Sequence, residues 1–93
     1  MIIFSDVKVG DVLKVLVKDD EDIEEECYAS VTDCFLTTLN VRYYSPTSLL
    51  YKGACLYQLE DTEESILFES IVEHYIEDST PFLQKDDMYC LEE

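Results

Sequence analysis

Tryptophan is absent from this chain, and glycine, proline and histidine are nearly so: two, two and one among 93 residues. So little glycine leaves no Gly-rich phosphate loop. With so little glycine and proline there is no flexible linker, low-complexity tract or visible domain boundary, and the length suits one modest core. Cations are also scarce, six Lys and Arg against 22 Asp and Glu, for a formal charge of −16. Nucleic acid and anionic membranes are held by basic contacts, so neither is expected as a direct partner. No apolar run approaches the ~18 residues of a membrane span. The opening "MIIFSDVKVGD" lacks the basic start and long apolar stretch of a secretory signal. An intracellular, reducing compartment, cytoplasm or nucleus, is therefore expected, with Cys27, Cys34, Cys55 and Cys90 as reduced thiols.

Chemistry-bearing patterns are missing as well. The cysteines lie far apart without a CxxC pair, and their spacing with His74 offers no specific zinc signature. His74 stands between Glu73 and Tyr75 with no paired nucleophile, and reads as a structural or simply exposed residue. No serine or cysteine sits in a nucleophile elbow. The carboxylates crowd into runs instead of forming a separated pair whose environments would push two pKa values apart. No catalytic residue, metal or cofactor is expected, and the chain is read as not an enzyme.

What the chain does contain is enough apolar material for a core, 47% of residues, in strand-like alternation. In "VKVGDVLKVLVK" a turn at Gly10-Asp11 precedes Leu13, Val15 and Val17 on one face, with Lys14 and Lys18 on the other. "CYASVTDCFL" points Cys27, Ala29 and Val31 one way and Tyr28, Ser30 and Thr32 the other. "TTLNVRYYSP" puts Leu39, Val41 and Tyr43 on one face and Tyr44 on the opposite, more exposed one. Pro46 is expected to end that strand, since proline cannot donate to a ladder. "CLYQLE" and the short "SILFES" give a fourth and fifth strand, joined by the acidic turn "EDTEE". In "ESIVEHYIED", Phe68, Ile71, Val72, Tyr75 and Ile76 recur at helical spacing, which predicts a short terminal helix. The expected fold is mainly β: a small, strongly bent barrel of about five antiparallel strands with a short C-terminal helix. Residues 1–78 form the barrel and helix. Residues 79–93, with Phe82, Leu83, Met88, Tyr89 and Leu91, form a tail that is docked, an extra edge strand, or ordered by a partner.

The order of these pieces resembles the Tudor and chromo-barrel group of SH3-like domains. In that group the second strand often reads Tyr-x-Ala-x-Val and the third Val-x-Tyr. Tyr28-Ala29-Ser30-Val31 is close to the first, and Val41-Arg42-Tyr43 matches the second. The resemblance spans roughly residues 8 to 73. "YKGACLYQLE" and "FESIVEHY" also resemble small Tudor-like proteins of large DNA viruses, which makes a viral source an expectation. The resemblance implies an aromatic mouth at one end of the barrel that holds a methylated lysine or arginine by cation–π attraction. Tyr28 and Tyr43 would be its walls and Tyr44 its neighbour. Ser45-Pro46 stands where many Tudor domains have Gly-Asn.

One stretch bears directly on function. "DDEDIEEE" is acidic at every position but Ile23: Asp19, Asp20, Glu21, Asp22, Glu24, Glu25 and Glu26. So much like charge in one strand connection repels itself, and dispersed acids would solubilise equally well. The run is read as an electrostatic rim near the aromatic mouth, with Ile23 placed to pin the loop onto the barrel. The expected partner is a basic protein segment, methylated or not, such as a histone tail or another Lys/Arg-rich arm of chromatin or a nucleoprotein. Two alternatives remain open: a polyanion mimic that occupies the nucleic-acid face of a DNA-binding protein, and a small structural subunit that uses its apolar tail as a handle.

Overall fold

The computed structural model describes residues 6–76, 81–85 and 87–91. The chain is mainly β, as its alternating faces imply, and its antiparallel sheet curls into a half-barrel. Among the described residues there are eight strands where about five were expected: β1 (Val12–Lys18), β2 (Glu24–Cys34), β3 (Thr38–Tyr51), β4 (Ala54–Leu59), β5 (Glu64–Leu67), β6 (Ile71–Tyr75), β7 (Phe82–Lys85) and β8 (Met88–Leu91). The hydrogen-bonded order is β6-β1-β2-β3-β4-β8-β7, and β5 also pairs with β3.

The long strand β3 organises this path. Its first part pairs with β2 on one side (Val31↔Val41, Ala29↔Tyr43) and with β5 on the other (Leu39↔Ile66, Val41↔Glu64). Its second part pairs with β4 (Tyr44↔Leu59, Pro46↔Tyr57). One ladder, β6-β1-β2-β3-β5, forms the half-barrel. A second, β3-β4-β8-β7, leaves it near Tyr44 and folds back over its outer face.

Two cores result. Inside the half-barrel, Leu13 and Val15 of β1, Ala29 and Val31 of β2, and Leu39 and Val41 of β3 are buried together with Val7. These are the faces assigned from alternation. Outside, Val12 meets Tyr44 and Phe82, with Tyr28, Tyr57, Leu59, Tyr75, Tyr89 and Leu91 packed around them. Phe82 is the hub: its ring lies 4.3 Å from Tyr44, 5.1 Å from Tyr28, 5.5 Å from Tyr57 and 6.2 Å from Tyr89. Phe82–Lys85 and Met88–Leu91 pair with each other, and the latter adds to β4; Ser79, Thr80 and Asp86 of the tail lie outside the described residues. Glu92 and Glu93 lie outside the described residues.

Three expectations are corrected. No C-terminal helix forms over "ESIVEHYI"; a single 3-10 turn (Phe68–Ser70) leads into β6, which completes the edge of β1. Glu77 and Asp78, the last residues of the expected helix, lie outside the described residues. The helical spacing spans too few residues to stand against the ladder bonds that β1 offers, and Ile71 and Val72 are β-branched. Pro46 does not end β3. Tyr43 accepts the N–H of Glu60 of the β4 side, so strand alternation turns the nitrogen of Pro46 away from β4, where no ladder donor is needed. Tyr44, placed on the exposed face by the sequence, is only 8% exposed because the second sheet covers that face.

His74 closes the half-barrel from β6. Its Nε2 lies 2.6 Å from Oδ2 of Asp11, which also accepts the N–H of Lys8 at 3.0 Å. Asp11 is buried, and it follows Gly10, whose φ of +99° makes the turn into β1. The sole histidine therefore ties the last strand of the half-barrel to its first turn.

Truncating the hub tests this packing. Phe82→Ala should lower unfolding free energy by about 3–5 kcal/mol, the usual cost of emptying a buried phenylalanine site. A urea titration giving a loss under about 1 kcal/mol would mean that the tail hairpin does not support the fold.

Candidate binding cleft

The acidic run divides into a turn and a strand start. Asp19 accepts the N–H groups of Glu21 and Ile23 on one carboxylate oxygen, each at 2.9 Å, and Asp22 adopts φ +63°. This Asx-type turn closes the β1–β2 hairpin, as aspartate and left-handed geometry favour. Ile23 is 57% exposed and does not pin the loop. Glu24, Glu25 and Glu26 open β2 opposite Lys18, Val17 and Leu16. Alternation sends Glu25 to the inner face with Val17 and Cys27, and Glu24 and Glu26 to the outer.

The ladders of β2 and β3 separate just here. β2–β3 pairing reaches Ala29↔Tyr43 and goes no further toward Glu24. From Tyr44 onward β3 follows β4 instead. The parting leaves a cleft of about 690 Å³ lined on one side by Val17, Glu25 and Cys27, and on the other by Tyr43 to Pro46, Glu60, Thr62 and Glu64. Register places Glu64 on the inner face beside Val41, so two strands aim carboxylates into the same opening. Glu60 is held differently. Arg42 donates from Nε to its carbonyl at 2.5 Å and pairs with Asp61 at 3.2 Å, while Ser45 donates its hydroxyl to the Glu60 carboxylate.

Tyr43 is the half-buried ring of this opening. Burial pushes its phenol above the ordinary tyrosine value, with Glu64 and Cys27 adding to the rise. Cys27 is likewise raised by burial and then by Glu25. Three carboxylates, an aromatic ring and an apolar wall of Val17 and Pro46 suit a cation on an aliphatic stem: the charge meets acids while the stem covers apolar surface.

The three tyrosines suggested by the sequence are not brought to one mouth. Tyr43 faces the cleft from the inner side, with Tyr44 at its margin. Tyr28 is on the outer face, its ring edge-on to Phe82 and 6.3 Å from Tyr75. It already has a cation: Nζ of Lys14 stands 5.5 Å from its centroid and 3.7 Å from Glu73. Of the seven acids proposed as a rim, Glu25 lines the cleft, whereas Asp19 serves the turn. Sequence reasoning missed Glu60, Glu64, Lys14 and the hub role of Phe82. Starting the fifth strand one residue earlier would have found Glu64, which alternates with Ile66. The other three depend on contacts between distant segments. Among the described residues no three His, Cys, Asp or Glu side chains gather as metal ligands.

Comparison with known protein families, curated proteins and solved structures gives no match.

The tyrosines give a pH test. Burial raises Tyr43, Tyr44 and Tyr57, and a hydrogen bond to Glu73, followed by burial, raises Tyr75. A raised folded-state value means that the folded chain holds its proton more tightly. Stability should thus be intact below pH ~10 and fall as pH rises through the folded values. In an ultraviolet titration Tyr43→Phe should remove a late-ionising phenol. Loss of an early one would show that Tyr43 stands in open solvent.

Proposed function

We propose that this chain is a non-enzymatic, acidic interaction module of the Tudor/SH3-like kind, whose cleft binds a basic protein segment such as a histone tail or another Lys/Arg-rich arm. The observation that carries this reading is the convergence of Glu25, Glu60 and Glu64 around Tyr43 where the ladders part. The charge of −16 supports it by drawing cationic segments in from a distance. The mainly antiparallel sheet curled into a half-barrel is compatible with the family reading.

Selectivity then comes from carboxylates first and aromatics second. Tyr28 is engaged by Lys14 and Phe82, and Tyr44 is stacked on Phe82, which leaves Tyr43 as the main ring for a guest. One ring gives about 0.5–1 kcal/mol of cation–π attraction at a partly exposed site. Methylation of the guest cation therefore modulates binding and does not decide it.

Two isoelectric variants test the reading by calorimetric titration with a Lys/Arg-rich peptide. Glu25→Gln, Glu60→Gln and Glu64→Gln together should weaken binding about tenfold, at several tenths of a kcal/mol per exposed charge pair. Neutralising Asp20, Glu21 and Asp22 removes the same charge from the hairpin tip and should cost only about twofold, through the long-range field. Equal losses would favour a polyanion mimic, which needs charge without a pocket.

A further inference from the structure

The cleft is bounded by a length of strand edge as well as by charged side chains. β2 pairs with β1 over its whole run from Glu24 to Ser30, but with β3 only from Ala29 onward. Val31 donates its N–H to Asp11 and accepts from Gly10 at 2.9 and 3.0 Å, so its backbone polar groups face β1. Alternation turns the backbone of Ser30, Tyr28, Glu26 and Glu24 to the other side. Ser30 meets Arg42 of β3 there. Tyr28, Glu26 and Glu24 have no ladder partner on that side among the described residues, and their N–H and C=O groups face the parting. The opposing bank offers little: Tyr44 and Pro46 turn toward it, and proline has no N–H.

We infer that the cleft receives its basic partner as an added strand, an extended Lys/Arg-bearing segment laid along β2 from Glu24 to Tyr28. The inference rests on the reading of the cleft as a site for a basic segment and adds the partner's conformation to it. Main-chain bonds to Tyr28, Glu26 and Glu24 supply affinity that is blind to sequence, and alternate side chains supply selectivity. Guest side chains on the inner face meet Glu25 and Glu64, with Val17 and Tyr43 for their stems. Those on the outer face meet Glu24 and Glu26. Charge decides the occupant: a second copy of this chain would set its own Glu24–Glu26 run against the first, at −16 per chain, whereas a cationic strand neutralises both faces. The five residues of free edge correspond to roughly 17 Å of extended guest.

The test uses the whole protein and an alternating lysine–valine peptide of roughly six residues, a common strand length. It is compared with two forms N-methylated on one or the other alternate set of backbone amides, so charge and side chains are constant. An added strand turns only one set toward β2. Methylating that set should weaken binding about tenfold or more, the other about twofold or less, and the unmodified peptide should protect the amides of Tyr28, Glu26 and Glu24 from exchange. Equal effects of the two sets, or no protection, would overturn the strand mode while the basic-segment reading stands. No binding of the unmodified peptide overturns both. Glu26→Pro removes one cleft-facing N–H, and Glu26→Gln removes only the charge. The proline variant, with core resonances of Leu13 and Val31 unchanged, should bind about tenfold more weakly than the glutamine variant; equal binding counts against the strand. A concentration-dependent dimer that protects the same amides without peptide would assign the edge to a second copy and overturn the proposal.

Discussion

Everything distinctive in this fold depends on one strand serving two ladders. The 14 residues of β3 hold β2 and β5 near their start and β4 near their end. A strand alternates its side chains without regard to which ladder it occupies. Tyr43 therefore completes the inner face of the half-barrel, and Tyr44, its neighbour, becomes the floor of the outer core. The same parting separates β3 from the first residues of β2 and opens the cleft. Tail docking, two cores and the candidate site are consequences of a single divergence.

The aromatic residues are divided by that arrangement. Phe82 draws Tyr28, Tyr44, Tyr57 and Tyr89 into edge-on and stacked contacts that seal the second sheet to the first. Such pairs add to area burial by favourable quadrupole geometry. Rings so engaged are poor walls for a guest, and Lys14 over Tyr28 already uses the attraction that a methylated cation would need. In the proposed role, recognition would therefore rest on carboxylates, which this chain has in excess. Their mutual repulsion works against compactness, and a bound cation would relieve it, so the charge that weakens the free protein would strengthen the proposed complex.

Electrostatics and backbone also answer each other at the "DDEDIEEE" stretch. Its first half is turn chemistry: Asp19 satisfies two backbone donors and Asp22 takes a left-handed conformation. Its second half is strand, and alternation there decides which acid belongs to the cleft. Glu25 does so through its parity with Cys27 and Ala29. Lys18 and Glu24, facing each other across the hairpin at 3.7 Å, are exposed and contribute little.

Local faces and charge follow from the residues alone. Leu13 with Val15, Ala29 with Val31, and Leu39 with Val41 are inward because period-2 alternation and burial admit one arrangement for a half-buried strand. The acidic turn, the lack of a hairpin-breaking proline before Pro46 and the scarcity of cations were equally legible. Tertiary structure alone decided which segments meet. "ESIVEHY" carries a spacing compatible with a helix and became a strand because β1 had an edge to fill. Pro46 stayed in β3 because its nitrogen faces the parting. Tyr44 was buried because a tail some forty residues later, carrying Phe82, folded onto it. Glu25, Glu60 and Glu64 became one site only when strands far apart in the chain closed around Tyr43. Propensity and alternation act over a few residues, whereas ladder pairing and core closure act between residues that the sequence leaves far apart.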